Sequence, residues 1–368
     1  MRIRAGLVAL AAVAVVVGAC GTGTATQPPA EKVKVRVQLQ WVPQAQFAGY
    51  YAAQEQGYWD AEGLDVEILA GGPDVIPQAV GSAPNGPEFT TSWLPKVLEA
   101  RESAQSPSDL VNIAQLYQRS GTLSVSWKDS NITSPADFRG KKVGVWDFGN
   151  EFEVTAGALK AGLEQGKDYE KVIQAFDMSA LLSREIDVAE AMIYNEYAQV
   201  LETINPDTGQ LYQPSDLNVI DYNQVGTAML QDGIFARASW LAVAGNEDIA
   251  VKFLRGAFRG WIFCRDNAAT CVDYVIAAGT ALGRGHQAWM MNEVNPLIWP
   301  SPNGIGLMDA TLYAQTVEVA KGGGVLKADP SADAYRTDLA TRALEGITED
   351  TKGTSFTKGT VEVTEGGR

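Results

Sequence analysis

Histidine is almost missing from these 368 residues: there is one, His286. A zinc site built on imidazoles, or a Ser-His-Asp hydrolase, would have to depend on that single side chain, which disfavours both. Cysteine is scarce, with three residues. Basic charge is short as well. Lys plus Arg number 29 against 44 Asp plus Glu, for a formal net charge of -15. A general nucleic-acid binder needs a basic surface, so no nucleic-acid partner is expected. No internal repeat is visible. What remains is ordinary: 46% apolar and 20% charged residues describe a soluble globular protein and exclude wholesale disorder. At ~100–200 residues per domain, the length suggests two domains or one large one.

The N-terminus reads as a targeting segment. Arg2 and Arg4 form a positive start, and Leu7 to Val17 is an apolar stretch shorter than the ~20 residues of a spanning helix. Val17-Gly18-Ala19-Cys20 resembles the bacterial lipoprotein cleavage box. There the signal is cut before the cysteine and the thiol is joined to diacylglycerol. Residues 1–19 are therefore expected to be a lipoprotein signal peptide, with Cys20 the lipidation site. An ordinary secretory signal with an incidental cysteine is the competing reading. Residues 20–32 include Pro28-Pro29 and have no apolar period, which predicts a flexible tether. The body would then be exported, and held at the outer face of the cytoplasmic membrane through its lipid alone.

Cys264 and Cys271 remain. Their C-x6-C spacing suits no zinc site. Arg265-Asp266-Asn267 between them looks like a helix end. In the oxidising compartment that export implies, a disulfide across a helix–turn–helix corner is expected. On one straight helix the pair would be ~10 Å apart and could not bond.

The body opens with an alternating strand, Val33 to Leu39, broken at Trp41-Val42-Pro43. Phe47, Tyr50, Tyr51 and Tyr58 follow at helical spacing, and 64–69 is a second strand. This β-α-β unit predicts a parallel sheet. Further strands are expected over 110–116, 141–146, 188–194 and 217–222, with helices over 92–101 and 150–163. Beyond Ala236 helices are expected over 248–267, 271–282 and 308–321, with His286 ahead of a helix. The pattern predicts two α/β lobes, one from 33–120 plus 225–350 and an inserted one from 121–224. Residues 351–368, rich in Thr, Gly, Lys and Glu, are expected to form a frayed tail. Ligands of open α/β sheets sit beyond the carboxyl ends of the strands. Those ends are Gln40-Trp41, Arg119-Ser120, Trp146-Asp147 and Tyr194-Asn195, and three of the four carry an aromatic ring.

At QLQWVPQAQFAGYYAAQEQGYWDAEGLDV (38–66) the chain resembles the solute-binding lipoproteins of ABC importers in the thiamine-pyrimidine-synthase-like group. The resemblance continues through SWLPKVLEAR (92–101), NIAQLYQRSG (112–121), KDSNITSPADFRGKKVGVW (128–146), NEFE (150–153), AMIYNEY (191–197), DGIF (232–235) and LIWPSP (297–302). It implies a type II periplasmic-binding-protein fold, two α/β lobes on a two-strand hinge closing over a small ligand. It also implies ABC permease and ATPase partners. Members bind pyrimidine precursors of thiamine, riboflavin, or sulfonates, and WVPQAQFAGYY is most like the riboflavin branch. One branch is an enzyme, a pyrimidine synthase that needs a lysine and a histidine on the helix aligning with 91–101, and a cysteine-rich run. Here Ser92 and Lys96 occupy those two positions and the cysteine run is missing. No enzymatic activity and no cofactor are therefore expected.

The residues speak to the ligand as well. Trp41, Trp93, Trp146 and Tyr194 lie at strand ends or helix entries, where stacking a flat ring adds roughly 0.5–1.5 kcal/mol to area burial. Core packing is the alternative for each. Trp59, Trp127, Trp240, Trp261 and Trp289 are expected in the core, and Trp299 could serve either purpose. Asn150 and Glu151 sit on a strand-to-helix turn with Asp147 and Glu153. Asn150 with Glu153 also reads as a helix cap with its box partner. Three carboxylates there would repel a phosphate or sulfonate, favouring a neutral heterocycle. Asn195 offers a donor and an acceptor to a ring edge, or caps a helix. Arg119 would meet a ring carbonyl or a carboxylate of a lobe. Gln40, Gln44 and Gln46 flank the first loop and could face the cleft. The expected protein is a monomeric capture protein for a small neutral aromatic heterocycle, riboflavin or a thiamine pyrimidine. A sulfonate or taurine binder and a synthase-like enzyme are the alternatives. Trp146→Ala is expected to abolish binding with little loss of stability.

Overall fold

The alternating segment Val33–Gln38 forms strand β1, burying Val35 and Val37 while Lys34 faces outward. The computed structural model describes residues 31–368, so the expected cleavage site, Cys20 and most of the tether lie outside the described residues. β2 (Leu64–Leu69) returns parallel to β1, with Val33 opposite Leu64. Between them run the helices Ala48–Glu55 and Tyr58–Ala61, as the aromatic spacing predicted. β3 (Phe89–Ser92) adds parallel to the other side of β1, and β4 is Leu110–Gln115. The chain then builds a second sheet from β5 (Thr122–Trp127), β6 (Lys142–Val145), β7 (Glu170–Ile173), β8 (Val188–Met192) and β9 (Leu217–Asp221). It returns to the first sheet as β10 (Gly233–Arg237), antiparallel between β3 and β4.

The strand orders are β2-β1-β3-β10-β4 and β7-β6-β8-β5-β9. Each is a parallel trio with one antiparallel strand inserted before the last. The inserted strand is in each case the first one made after the chain crosses from the other sheet. Two five-stranded mixed sheets with helices around them make two α/β lobes.

Four strands escape the alternation reading: β3, β5, β7 and β10. β3 (FTTS) and β5 (TLSVSW) are buried at every position, so no polar face marks them. β5 buries two serines, Ser124 and Ser126, by hydrogen-bonding Tyr222 Oη and the Ile132 carbonyl. β7 is a short edge strand with both ends exposed.

The helical return is as expected, with helices Asn246–Asp266, Ala268–Ala277 and Ala310–Gly322, while Ala238–Leu241 and Asp338–Leu344 were not foreseen and His286 needs a correction. His286 does not precede a helix; it lies inside Arg284–Ile298, fully buried. Pro296 in that helix's last turn hides the pattern. The helices Asn246–Asp266 and Ala268–Ala277 meet at Asn267, and a disulfide joins Cys264 to Cys271 across that corner.

The tail 351–368 is not frayed. Lys352 and Thr351 carbonyls accept from Ser301 and Ile305 amides, Lys358 pairs with Glu293, and Gly366 donates to the Glu202 carbonyl. Polar backbone satisfied by the body holds a segment with no regular structure.

Candidate functional site

All three parallel strands of each sheet send their carboxyl ends to one cavity of about 310 Å³. The first sheet contributes Gln40 and Trp41 after β1, residues 72–78 after β2, and Trp93 after β3. The second contributes Trp146, Phe148 and Asn150 after β6, Phe176 after β7, and Tyr194, Asn195 and Glu196 after β8. This is where open α/β sheets place ligands.

The walls are aromatic. Trp41 meets Phe176 with ring centroids 4.5 Å apart, and Phe176 stacks on Trp146 at 5.9 Å. Trp93, Trp146 and Tyr194 are also core residues, 6%, 3% and 1% exposed. Core packing and cavity lining are therefore not exclusive for these three residues. Phe148 differs, being 71% exposed. It adopts a left-handed backbone (φ 65), uncommon for a bulky residue and typical of functional turns. Gly149 follows at φ 86, and a Cβ there would sit 3.0 Å from Lys96 Cγ and from the Phe152 ring.

Polar groups in the first sheet's wall are tied to one carboxylate. Asp232 Oδ1 accepts from Gln40 Nε2 (2.7 Å) and Gln46 Nε2 (3.0 Å), and Oδ2 from Trp93 Nε1 (3.1 Å). Burial pushes its pKa up to about 7, against those donors and Lys96. Gln46 Oε1 accepts from Gln44 Nε2 at 2.6 Å. Lys96 lines the cavity from the helix Leu94–Glu102, its ammonium 4.5 Å from the Trp93 ring centroid. It donates to Asn150 Oδ1 at 2.6 Å, a bond between the two walls. Desolvation lowers its pKa to about 8, opposed mainly by Glu190, Glu151 and Asp232.

The second wall holds its own buried acids. Glu190 Oε2 accepts from the Trp146 amide, and burial pushes its pKa far up. Glu196 accepts from the Met192 amide and from Asn195 Nδ2, and burial raises it to about 7. Asn195 Oδ1 lies 2.9 Å from His286 Nε2, whose Nδ1 is 2.9 Å from Glu202.

A model of the NMT1/THI5 like family matches residues 44–270. The chain belongs to the NMT1/THI5-like family. It is 26% identical over 300 residues to the riboflavin-binding protein RibY of Chloroflexus aurantiacus, spanning 79% of this chain and 81% of that one. It is 26% identical over 246 residues to the formylaminopyrimidine-binding protein of Halalkalibacterium halodurans, 65% of this chain and 68% of that one. Among solved structures it resembles the alkanesulfonate-binding protein SsuA of Xanthomonas axonopodis pv. citri, with TM-score 0.59 and 13% identity. That match covers 84% of this chain and 99% of the other. The resemblance read from 38–66 onward thus agrees with family and fold, the type II periplasmic-binding-protein fold.

This NMT1/THI5-like chain gathers seven of the nine candidate ligand residues at the cavity: Gln40, Trp41, Trp93, Trp146, Asn150, Tyr194 and Asn195. Two do not line it. Arg119 turns away and donates to the Pro296, Trp299 and Pro300 carbonyls, meeting neither a ring nor a carboxylate. Glu151 accepts from the Gly149 amide and stands 3.9 Å from Lys171. The three-carboxylate repulsion also fails. Asp147 approaches Lys171 at 3.4 Å, and Glu153 is buried elsewhere on Ser120 Oγ and the Met229 amide. Neither asparagine caps its helix, since their amides are engaged as described. Sequence reasoning missed Phe148, Phe176, Glu196 and Asp232 as site residues. Only Phe148, beside Gly149 on the expected turn, carried a local signal.

Proposed function

We propose that this protein is the extracytoplasmic solute-binding protein of an ABC importer, capturing a small neutral aromatic heterocycle, riboflavin or a pyrimidine precursor of thiamine. The observation that carries this reading is a cavity between the two sheets, walled by indoles from the first and by indole, phenol and phenyl rings from the second. A planar ring entering it gains contact area from two lobes at once, so binding favours the closed arrangement. The relatives that bind riboflavin and formylaminopyrimidine support the ligand class. The lobes divide as 33–120 plus 225–350 and 121–224. The protein acts as a monomer, performs no chemistry, and hands its ligand to the permease while the ATPase supplies the energy. Residues 1–19 direct export, Cys20 carries the lipid, and 20–32 are the tether.

One observation favours a second reading. Lys96 is a cation on the cavity wall, and an ammonium there suits a sulfonate. Against this, it is already bonded to Asn150 and lies in the field of Glu190, Glu151 and Asp232. Thermal-shift titration with riboflavin, an aminopyrimidine and taurine, with tryptophan quenching, tests the choice. Stabilisation by taurine alone overturns the heterocycle reading, and release of a converted product overturns the non-enzymatic one.

A further inference from the structure

Two buried side-chain atoms on residues lining the cavity have no hydrogen-bond partner among the described residues: Gln44 Oε1 and Gln78 Oε1. Both are acceptors. No buried donor on the cavity-lining residues is left in that state.

The orientation of Gln44, only 2% exposed, is imposed from a distance. Trp93 Nε1 can only donate, and it donates to Asp232. With Trp93 on Oδ2 and Gln40 on Oδ1, both oxygens of Asp232 act as acceptors, and Gln46 turns its Nε2 toward Oδ1. That leaves Gln46 Oε1 facing Gln44, which must answer with its own Nε2. Gln44 Oε1 is what remains at the end of the chain. The polarity of three side chains is thus set at Asp232, itself held at φ 23 ahead of β10. Gln40 Nε2 occupies the same carboxylate oxygen and reinforces the direction.

We propose that Gln44 is a specificity-determining residue, its Oε1 reading an N–H or O–H donor on the ligand, and that Asp232 is the positioning residue that keeps this oxygen an acceptor. The inference rests on the heterocycle reading above and sharpens it. The favoured ring carries a donor, such as an imide N–H or an exocyclic amine. A ligand with the donor methylated leaves a buried acceptor unpaired, which sites of this kind reject strongly. A sulfonate headgroup has no donor to offer.

The test compares riboflavin with its imide-N-methyl derivative, and an aminopyrimidine with its dimethylamino analogue, by calorimetry on the full mature chain. The wild type should prefer the N–H member of a pair by about tenfold or more, the loss of one hydrogen bond at a buried site. Gln44→Met should reduce that preference to within about threefold, since no acceptor remains to be left unpaired. Asp232→Asn should reduce it too, because an amide can donate to Gln46 and lets the chain reverse. Loss of preference is a readout that simple destabilisation does not move, and thermal melts verify folding. If Gln44→Met does not fold, Asp232→Asn decides alone. Wild-type preference retained in the folded variants overturns this inference and leaves the heterocycle reading intact. Equal binding of both members of each pair by the wild type does the same. Failure of all four probes to bind removes both.

Discussion

The two sheets share one strand order and differ in what they hang from it. In both, the first and third strands of the parallel trio end in tryptophan or tyrosine at the cavity. In the first sheet that ring system is bound by side chains, with Trp93, Gln40 and Gln46 all donating to Asp232. In the second, Trp146 is held by one backbone carbonyl and one buried carboxylate, its Nε1 donating to the Ala175 carbonyl and its amide to Glu190 Oε2. Side-chain donors thus converge on one carboxylate in the first wall, while in the second Trp146 is also stacked on Phe176. Under the proposed function, such a clamp would read the polar edge of a ring with one jaw and its flat face with the other.

Four measurements would break or sharpen that contrast. The largest effect belongs to Trp146→Ala. Trp146 is 3% exposed and packs on Phe176, so truncation should cost about 3–5 kcal/mol in denaturant unfolding as well as binding. The expectation of an innocent loss of affinity is thereby revised. A stable Trp146→Ala protein would place the second jaw's rigidity elsewhere.

Next is the dependence on pH. Burial raises Glu153 to about 8 and Glu196 to about 7, and pushes Glu190 well up too, all on the second-sheet side, against Asp232 at about 7 on the first. Folded values lie above unfolded ones, so the stabilisation is fully present below the ordinary carboxyl range. It is lost as pH rises through 7 and 8. Melting temperature should fall over that interval, and Glu153→Gln should flatten the fall. A melting curve that rises from pH 5 to 8 contradicts this. Lys96, lowered to about 8, works in the opposite sense only above that value.

Phe148→Ala tests the second jaw without touching its core. With 71% of the ring exposed, stability should change by no more than about 0.5 kcal/mol. Riboflavin affinity should nonetheless fall about tenfold, or 1.4 kcal/mol, through lost ring contact. Unchanged affinity in calorimetry would leave Phe148 outside the clamp. Smallest of all, Arg119→Ala should leave affinity unaltered and cost about 1 kcal/mol, because its guanidinium only ties the 296–300 carbonyls.

Much of this was written locally. Trp41, Trp146 and Tyr194 follow strands whose alternation or apolar runs are visible, Trp93 opens an expected helix, and each reaches the cavity. The same reasoning erred where local spacing was taken for spatial company. Asp147, Glu151 and Glu153 are neighbours in sequence, yet Asp147 and Glu151 face Lys171 while the helix buries Glu153 on Ser120 and Met229. Arg119 sits after a strand end, but it meets the carbonyls at the C-terminal end of the helix Arg284–Ile298 rather than the cavity.

By itself the sequence determined the β-α-β start, the aromatic strand ends and the helical return, since periodicity and breakers act over a few residues. Tertiary structure alone decided which strand each sheet receives from the other chain segment, and which carboxylate commands the first jaw. Gln40 and Asp232 stand 192 positions apart. Only the return of β10 to the first sheet brings them within bonding distance, and a direction of hydrogen bonding exists only once donor and acceptor have met.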